Sequence, residues 1–292
     1  MKLQFSGHES FICKHFWLKK GYDFINHKGN FNEESAVIDL GVGKNMVASI
    51  SYWLKAFGIT DQSNSITEFG HYIFNDRTGK DPYIESMGTL WLLQYNLVKA
   101  AKASIYSIFF NEFKRGKTEF TKDQLAKFII KQAEKDGKVN PNTINNDIAV
   151  FVRNYLVADY KSTKTDIEEE FSNLLIDLAL MQSYQALNAE SKLIEWYKVE
   201  NNIRPDLPAA VVLYTILDNP SFGKSISFRD LLTKPNSPGA VFALNEEGLY
   251  QKIEEITKTN KNITYKETAG VKEFQIKGTL IKEEILNGYY KN

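Results

Sequence analysis

Apolar positions recur along this chain at helical spacing, in blocks separated by short turn signals. Met46, Val47, Ile50, Trp53, Leu54 and Phe57 trace one face of a helix. Ahead of them Ala36, Val37 and Leu40 form a shorter amphipathic stretch, preceded by Glu33 and Glu34, whose charge suits a helix N-terminus. Gly41-Val42-Gly43 divides the two, the length of a helix-turn-helix connection. The stretch "NSITEFGHYIF" follows and reads as strand-like, where a winged helix would place its wing and closing helix.

A second block starts with the helical pattern "TLWLLQYNLVKAAKASIYSIFFNEF". "FTKDQLAKFIIKQAEK" opens on Thr121 three residues before Gln124, a capping box. "NPNTINNDIAVFVRNYL" begins with Asn and Pro, both helix-start signals, and Ile144, Ile148, Phe151, Val152 and Tyr155 share one face. "YKSTKTDIEEEF", 160–171, reads as a polar connection, and "FSNLLIDLALMQ" as a buried segment. "YQALNAESKLIEWYKVE" reads as two strands around a turn. "DLPAAVVLYTILDN" is a short helix with Asp206 as N-cap, and "SFRDLLTKPNSPG" a helix followed by a Pro/Gly loop. "NEEGLYQKIEEITKT" is a helix, and "NITYKETAGVKEFQIKG" a β-hairpin. The pattern predicts a mostly α fold with small β wings, built as tandem winged-helix or helix-turn-helix-like units spanning 1–80, 81–160 and 161–292.

Composition adds bounds. A chain of 292 residues suits two or three domains, and 43% apolar with 25% charged residues is the profile of a globular protein. Basic and acidic residues balance at 36 each, so any nucleic-acid contact must come from a local basic face. Cys13 is the only cysteine, which excludes an internal disulfide and points to a reducing, cytoplasmic setting. The first residues lack the apolar core of a secretion signal, and no apolar run approaches the roughly 20 residues of a membrane helix.

Around Gly43-Lys44 the phosphate-binding pattern G-x-x-x-x-G-K-[ST] fails, because Ile38 stands at its first glycine and Asn45 at its hydroxyl. A DNA-facing helix fits better, with Lys44, Asn45, Ser49, Tyr52 and Lys55 on the face opposite the apolar stripe. The second block offers Thr143, Asn145, Asn146 and Arg153 in the same role, with Asp147 among them as a source of repulsion. The third carries Glu246, Glu247, Glu254 and Glu255, which suit protein contact or a structural role. Near the N-terminus, "GHESF" holds His8, able to act as a general base, and Glu9, able to orient it or hold a metal; the alternative is that both make polar contacts fixing an N-terminal arm against Phe16 and Trp17. Lys14, Lys19 and Lys20 follow, placed to neutralise a phosphate. His8, Glu9, Cys13 and His15 fit no structural zinc spacing, and no familiar nuclease run stands out.

"FSGHESF…WLKKGYD", "AVIDLGVGKNMVASISYWLKAFGI", "NTINNDIAVFVRNY" and "SPGAVFAL" together resemble domain-of-unknown-function family four-thousand-and-seven, over nearly the whole chain. That family includes the SspB-like component of Ssp DNA phosphorothioation systems. The resemblance implies double-stranded DNA binding, DNA nicking that permits modification, and a magnesium or manganese ion if the protein nicks. It also implies cysteine desulfurase, ATPase and phosphoadenosine-phosphosulfate-reductase-like partners. The chain departs from the family pattern at Ile12, where proline is usual, and at Lys14 and Asn146, where a basic residue, commonly arginine, is expected. Two rival roles remain: a DNA-binding regulator without chemistry, and an adaptor that docks sulfur-transfer enzymes through its acidic C-terminal part.

Overall fold

A computed structural model describes residues 3–135, 137, 140–156, 173–188, 191–268 and 270–291, so the polar connection read at 160–171 lies outside the described residues. About half of the structure is helical, with small antiparallel sheets, as the apolar periodicity predicts. The chain forms two compact units: Met1–Phe109 with Glu119–Val199, and Phe110–Thr118 with Glu200–Asn292.

The first unit opens with α1 (Trp17–Asn26), α2 (Ala36–Leu40) and α3 (Lys44–Ala56). Gly41 stops α2 in the left-handed region at φ 61°, a conformation that glycine adopts without steric cost. The predicted α3 face is buried, with Ile50, Trp53, Leu54 and Phe57 all at 0% exposure. The strand expected after it is mostly helix. Only Thr60 and Ile66 form a β-bridge, and Thr67 then caps α4 (Glu68–Phe74), its hydroxyl accepting from Gly70 N–H at 3.0 Å. The long helix expected next is broken. α5 (Met87–Ala100) ends where Ala101 turns left-handed at φ 51°, and α6 (Ser104–Ile108) restarts and runs into a π-helical turn, Phe109–Phe113.

The strand β1 (Glu119–Phe120) leads into α8 (Lys122–Ala133), capped by the expected Thr121–Gln124 box, with α7 (Lys114–Gly116) preceding it in the other unit. α9 (Pro141–Tyr155) starts on Asn140, whose side chain accepts from Asn142 N–H at 2.9 Å. Leu174, Leu175, Leu178, Leu180 and Met181 are buried, as read. β2 (Gln182–Leu187) and β3 (Leu193–Lys198) form the expected hairpin, and β3 also pairs with β1, giving the order β1-β3-β2. This pairing joins segments on either side of the boundary expected at 160. The hairpin closes a sheet with the strand that precedes α8 and α9, and so belongs to their unit.

The second unit holds α10 (Ala209–Asp218), β4 (Ser225–Ser227), α11 (Phe228–Thr233), α12 (Pro238–Val241), α13 (Glu246–Thr259), β5 (Ile263–Thr268), β6 (Val271–Ile276) and α14 (Lys282–Tyr289). The Pro/Gly stretch read as a loop closes into α12, because Ser237 caps it and Pro238 suits a first helical position. The sheet order is β4-β6-β5.

Within this unit the Lys114 ammonium is buried and donates to Asn201 Oδ1 at 2.5 Å. Burial, then the charges of Arg204 and Arg115, push its pKa down to about 8. The unfolded chain keeps this proton to about pH 10.4. Between about 8 and 10 the unfolded state therefore binds more protons, and stability rises with pH. In denaturant melts the wild type is expected to gain roughly 1–3 kcal/mol over that window relative to Lys114→Met. Parallel pH profiles for the two proteins would contradict it.

Candidate functional site: an N-terminal arm clasped between two helices

Residues 4–14 run as an arm without a sheet to satisfy their backbone, and side chains supply the missing partners. Gln4 exchanges two bonds with Ser104: its N–H donates to Oγ at 2.7 Å, and its carbonyl accepts from the Ser104 N–H at 3.2 Å. Ser6 N–H donates to both oxygens of Asp147, at 3.0 and 3.1 Å. Trp53 Nε1–H donates to Phe11 O at 3.2 Å, and Asn154 Oδ1 accepts from Cys13 N–H at 3.1 Å. Arg153 Nη2 donates to Ser10 O at 2.7 Å. The arm lies between α3 and α9, and α9 contributes Asp147, Arg153 and Asn154 to it.

The "SGHES" stretch is conformationally demanding. Ser6, Glu9 and Ser10 take positive φ (71°, 47° and 63°), and Gly7 sits at 104°. A Cβ on Gly7 would stand 2.7 Å from Tyr52 Cδ2, so the backbone presses directly on that ring. His8, 5% exposed, stacks on Trp53 at 6.3 Å and meets Tyr52 edge-on at 5.7 Å. Its Nδ1 accepts from Ser10 N–H at 3.1 Å, which fixes the tautomer, so Nε2–H donates to Asp147 Oδ1 at 3.0 Å. Burial, then the Asp147 charge, push the Tyr52 phenol far above its usual value.

Several polar residues lie elsewhere than the linear pattern suggested. Both ring nitrogens of His8 are engaged, Nδ1 with Ser10 N–H and Nε2 with Asp147, so the ring as placed holds the arm. Asp147 is not on the exposed face of α9: it is 2% exposed and turned inward to hold the arm. Ser49 and Tyr52 are buried at 0% and 7%, because the arm and the core cover the α3 face that the stripe left open. Lys19 is buried in ion pairs with Asp23 at 2.5 Å and Asp76 at 2.6 Å. Burial opposes its charge, but the bonds to the two carboxylates outweigh this and hold its pKa above the usual value.

The other expected site residues are accessible. Glu9, Lys20, Lys44, Asn45, Asn145, Asn146 and Arg153 are exposed, while Lys14, Lys55 and Thr143 are half-buried. Lys14 lies 5.9 Å over the Trp17 ring, and Lys20 donates to Leu40 O at 3.1 Å. Burial and the charge of Lys102 lower the Lys55 pKa.

Sequence reasoning missed two sets of residues. Asp147 and Asn154 fall on the apolar stripe of α9, and a polar residue at a stripe position is itself a signal of a buried partner. Lys127, Lys131 and Lys135 stand four residues apart from α8 onward and are exposed.

Among the described residues no group of three His, Cys, Asp or Glu side chains could hold a metal. Asp147 is buried and accepts from Ser6 and His8, and Glu9 stands apart on the surface, so the arm does not gather the several oxygen ligands of a protein-built magnesium site. No described helix is long and apolar enough to cross a membrane.

Fold and arm together define a mostly helical protein with, among the described residues, two three-stranded sheets and a polar clasp at its N-terminal arm. Residues 5–290 match the family described as protein of unknown function (DUF4007), and the chain belongs to that family. No curated protein matches it. Among solved structures it is similar to that of SspB, at TM-score 0.82 and 24% identity, covering 99% of this chain and 88% of that one. It is likewise similar to magnesium ion-bound SspB, at TM-score 0.81 and 23% identity over the same shares.

Proposed function

We propose that this protein binds double-stranded DNA through α8 and α9, with β2–β3 as a wing. The observation that carries the reading is the composition of the exposed α9 surface. Asn142, Asn145, Asn146 and Arg153 are exposed there, and the helix's only carboxylate, Asp147, is folded inward. Asparagine suits base edges, and Lys127 and Lys131 on the preceding helix, with Lys135 just past its end, suit the phosphate backbone. Two features of connectivity support this. β1, α8, α9 and the hairpin follow the winged-helix order of strand, two helices, then hairpin, with the first strand pairing the hairpin's second. β4, α11 to α13 and β5–β6 follow a similar order, with the short α12 as an added helix. Lys44 and Asn45 at the open end of α3 provide a further contact in the first segment. We keep three winged-helix-like segments as the domain reading, with 182–198 assigned to the second.

Membership of the family supports work in a DNA phosphorothioation system, in the cytoplasm, with the sulfur-transfer proteins named above as partners. The α13 face, where Glu246, Glu247, Glu254 and Glu255 are exposed, suits such a protein partner and would repel DNA. Nicking would need a base other than His8 as it is held here. His8→Ala would unseat the arm, so it is no clean test of catalysis. A supercoiled-plasmid assay with magnesium or manganese decides the question, and an inert wild type would leave a binding protein.

The double variant Lys127→Glu/Lys131→Glu is expected to weaken duplex binding and reduce the salt slope by about two, since each lost phosphate contact removes about 0.9. Asn145→Ala with Asn146→Ala is expected to relax base preference by about 1–3 kcal/mol at one or two positions. Unchanged affinity and slope in the lysine variant, with its fold intact, would refute the interface.

A further inference from the structure

We propose that a second site on the first unit holds a single unstacked nucleobase; this rests on the DNA reading above but uses different residues. A cavity of about 520 Å³ opens between the outer stripe of α1, the end of α2 and the loop before α5. Its volume lies within the roughly 300–1,000 Å³ of small-molecule sites.

Two aromatic side chains line this cavity yet are largely open to solvent, Phe16 at 64% and Tyr83 at 59%. Their placement is fixed. His15 Nε2 bonds Tyr83 O at 3.1 Å while its ring meets Phe16 edge-on at 5.0 Å, and Lys19 Nζ stands 5.9 Å over the Tyr83 ring. Large aromatics left exposed around a concave surface are unexpected unless something flat covers them.

The polar lining narrows the occupant. Lys19 is neutralised by Asp23 and Asp76, so the cavity is not a phosphate trap. Asp39 is exposed at its edge and accepts from amino groups such as those on adenine, cytosine or guanine. Lys20 uses one proton on Leu40 O and has others for a single flanking phosphate. Aromatic walls, an exposed carboxylate at Asp39 beside the Lys19-paired Asp23, the His27 ring and the surface cation Lys20 match a base taken out of its stack, which proteins read by stacking and by its hydrogen-bonding edge. The cavity wall at Leu40 lies four residues before Lys44, at the start of α3.

The test measures binding of a short labelled single strand, the matched duplex and free dAMP to the full chain. Phe16→Ala and Tyr83→Ala remove exposed side chains, so the fold is kept, and circular dichroism checks it. Each is expected to weaken single-strand binding roughly tenfold and to leave duplex binding unchanged. Replacing one base of the strand by an abasic site is expected to have less effect on these variants than on the wild type. Strand binding without dAMP binding would place the base in a polynucleotide; equal binding of dAMP would make the ligand a free nucleotide. Duplex binding by the wild type with single-strand affinity untouched in both variants would overturn the base site alone and leave the patch to a protein. Failure of the wild type to bind any nucleic acid would overturn the DNA reading as well.

Discussion

Trp53→Ala is expected to lower the unfolding free energy by about 3–5 kcal/mol, the range for removing a large aromatic from a close-packed core. Trp53 has 0% exposure and touches the rings of His8, Tyr52, Phe57 and Tyr106. Its indole N–H also holds Phe11 O, so the substitution opens a cavity and orphans an arm carbonyl together. Urea melts read the loss, and hydrogen exchange at residues 4–14 is expected to speed up with it. A loss below about 1 kcal/mol would mean that the α3 face does not pack as described.

Asp147→Ala is expected to cost about 1–3 kcal/mol, because it strands two donors, one buried and one part-buried, and only the buried one carries the full penalty of about 1–3. These are His8 Nε2–H and the Ser6 N–H, both now bonded to that carboxylate. Asp147→Asn keeps one acceptor oxygen and is expected to recover about half of the loss. The outcome discriminates sharply, since a carboxylate on the solvent face of α9, as the sequence suggested, would change stability by no more than about 0.5 kcal/mol. An intact arm in Asp147→Ala, judged by exchange at Ser6 and Ser10, would remove the clasp from the account.

Much of the local structure was legible. The α3 stripe, the capping box at Thr121, the Asn140-Pro141 helix start and both hairpins follow from short-range rules, and each is observed. These features depend on residues within a turn or two of one another, which is why a linear pattern reveals them. The break at Ala101 escaped it, since nothing in an alanine marks a left-handed turn. The strand-like reading near Ile66 failed because Thr67 and its cap bond to Gly70 decided for helix.

The site was less legible. Lys44, Asn45, Asn145, Asn146 and Arg153 were placed correctly on open surfaces, since helical spacing alone separates the two faces of a helix. Tyr52 was misplaced because a second layer, the arm, covers it, and Ser49 is likewise buried on the face that one helix leaves open. His8 carried two readings, a general base or a polar residue fixing the arm, and its local sequence did not choose between them. Its partner lies 139 positions away in the sequence, and no local rule reaches that far. The sequence by itself thus determined most helices, the caps at Thr121 and Asn140, the hairpins and the family, whereas the cap expected at Asp206 falls on Pro208. The tertiary structure decided which polar residues are solvent-facing and which are spent holding the arm, because burial depends on what another segment of chain brings against a surface.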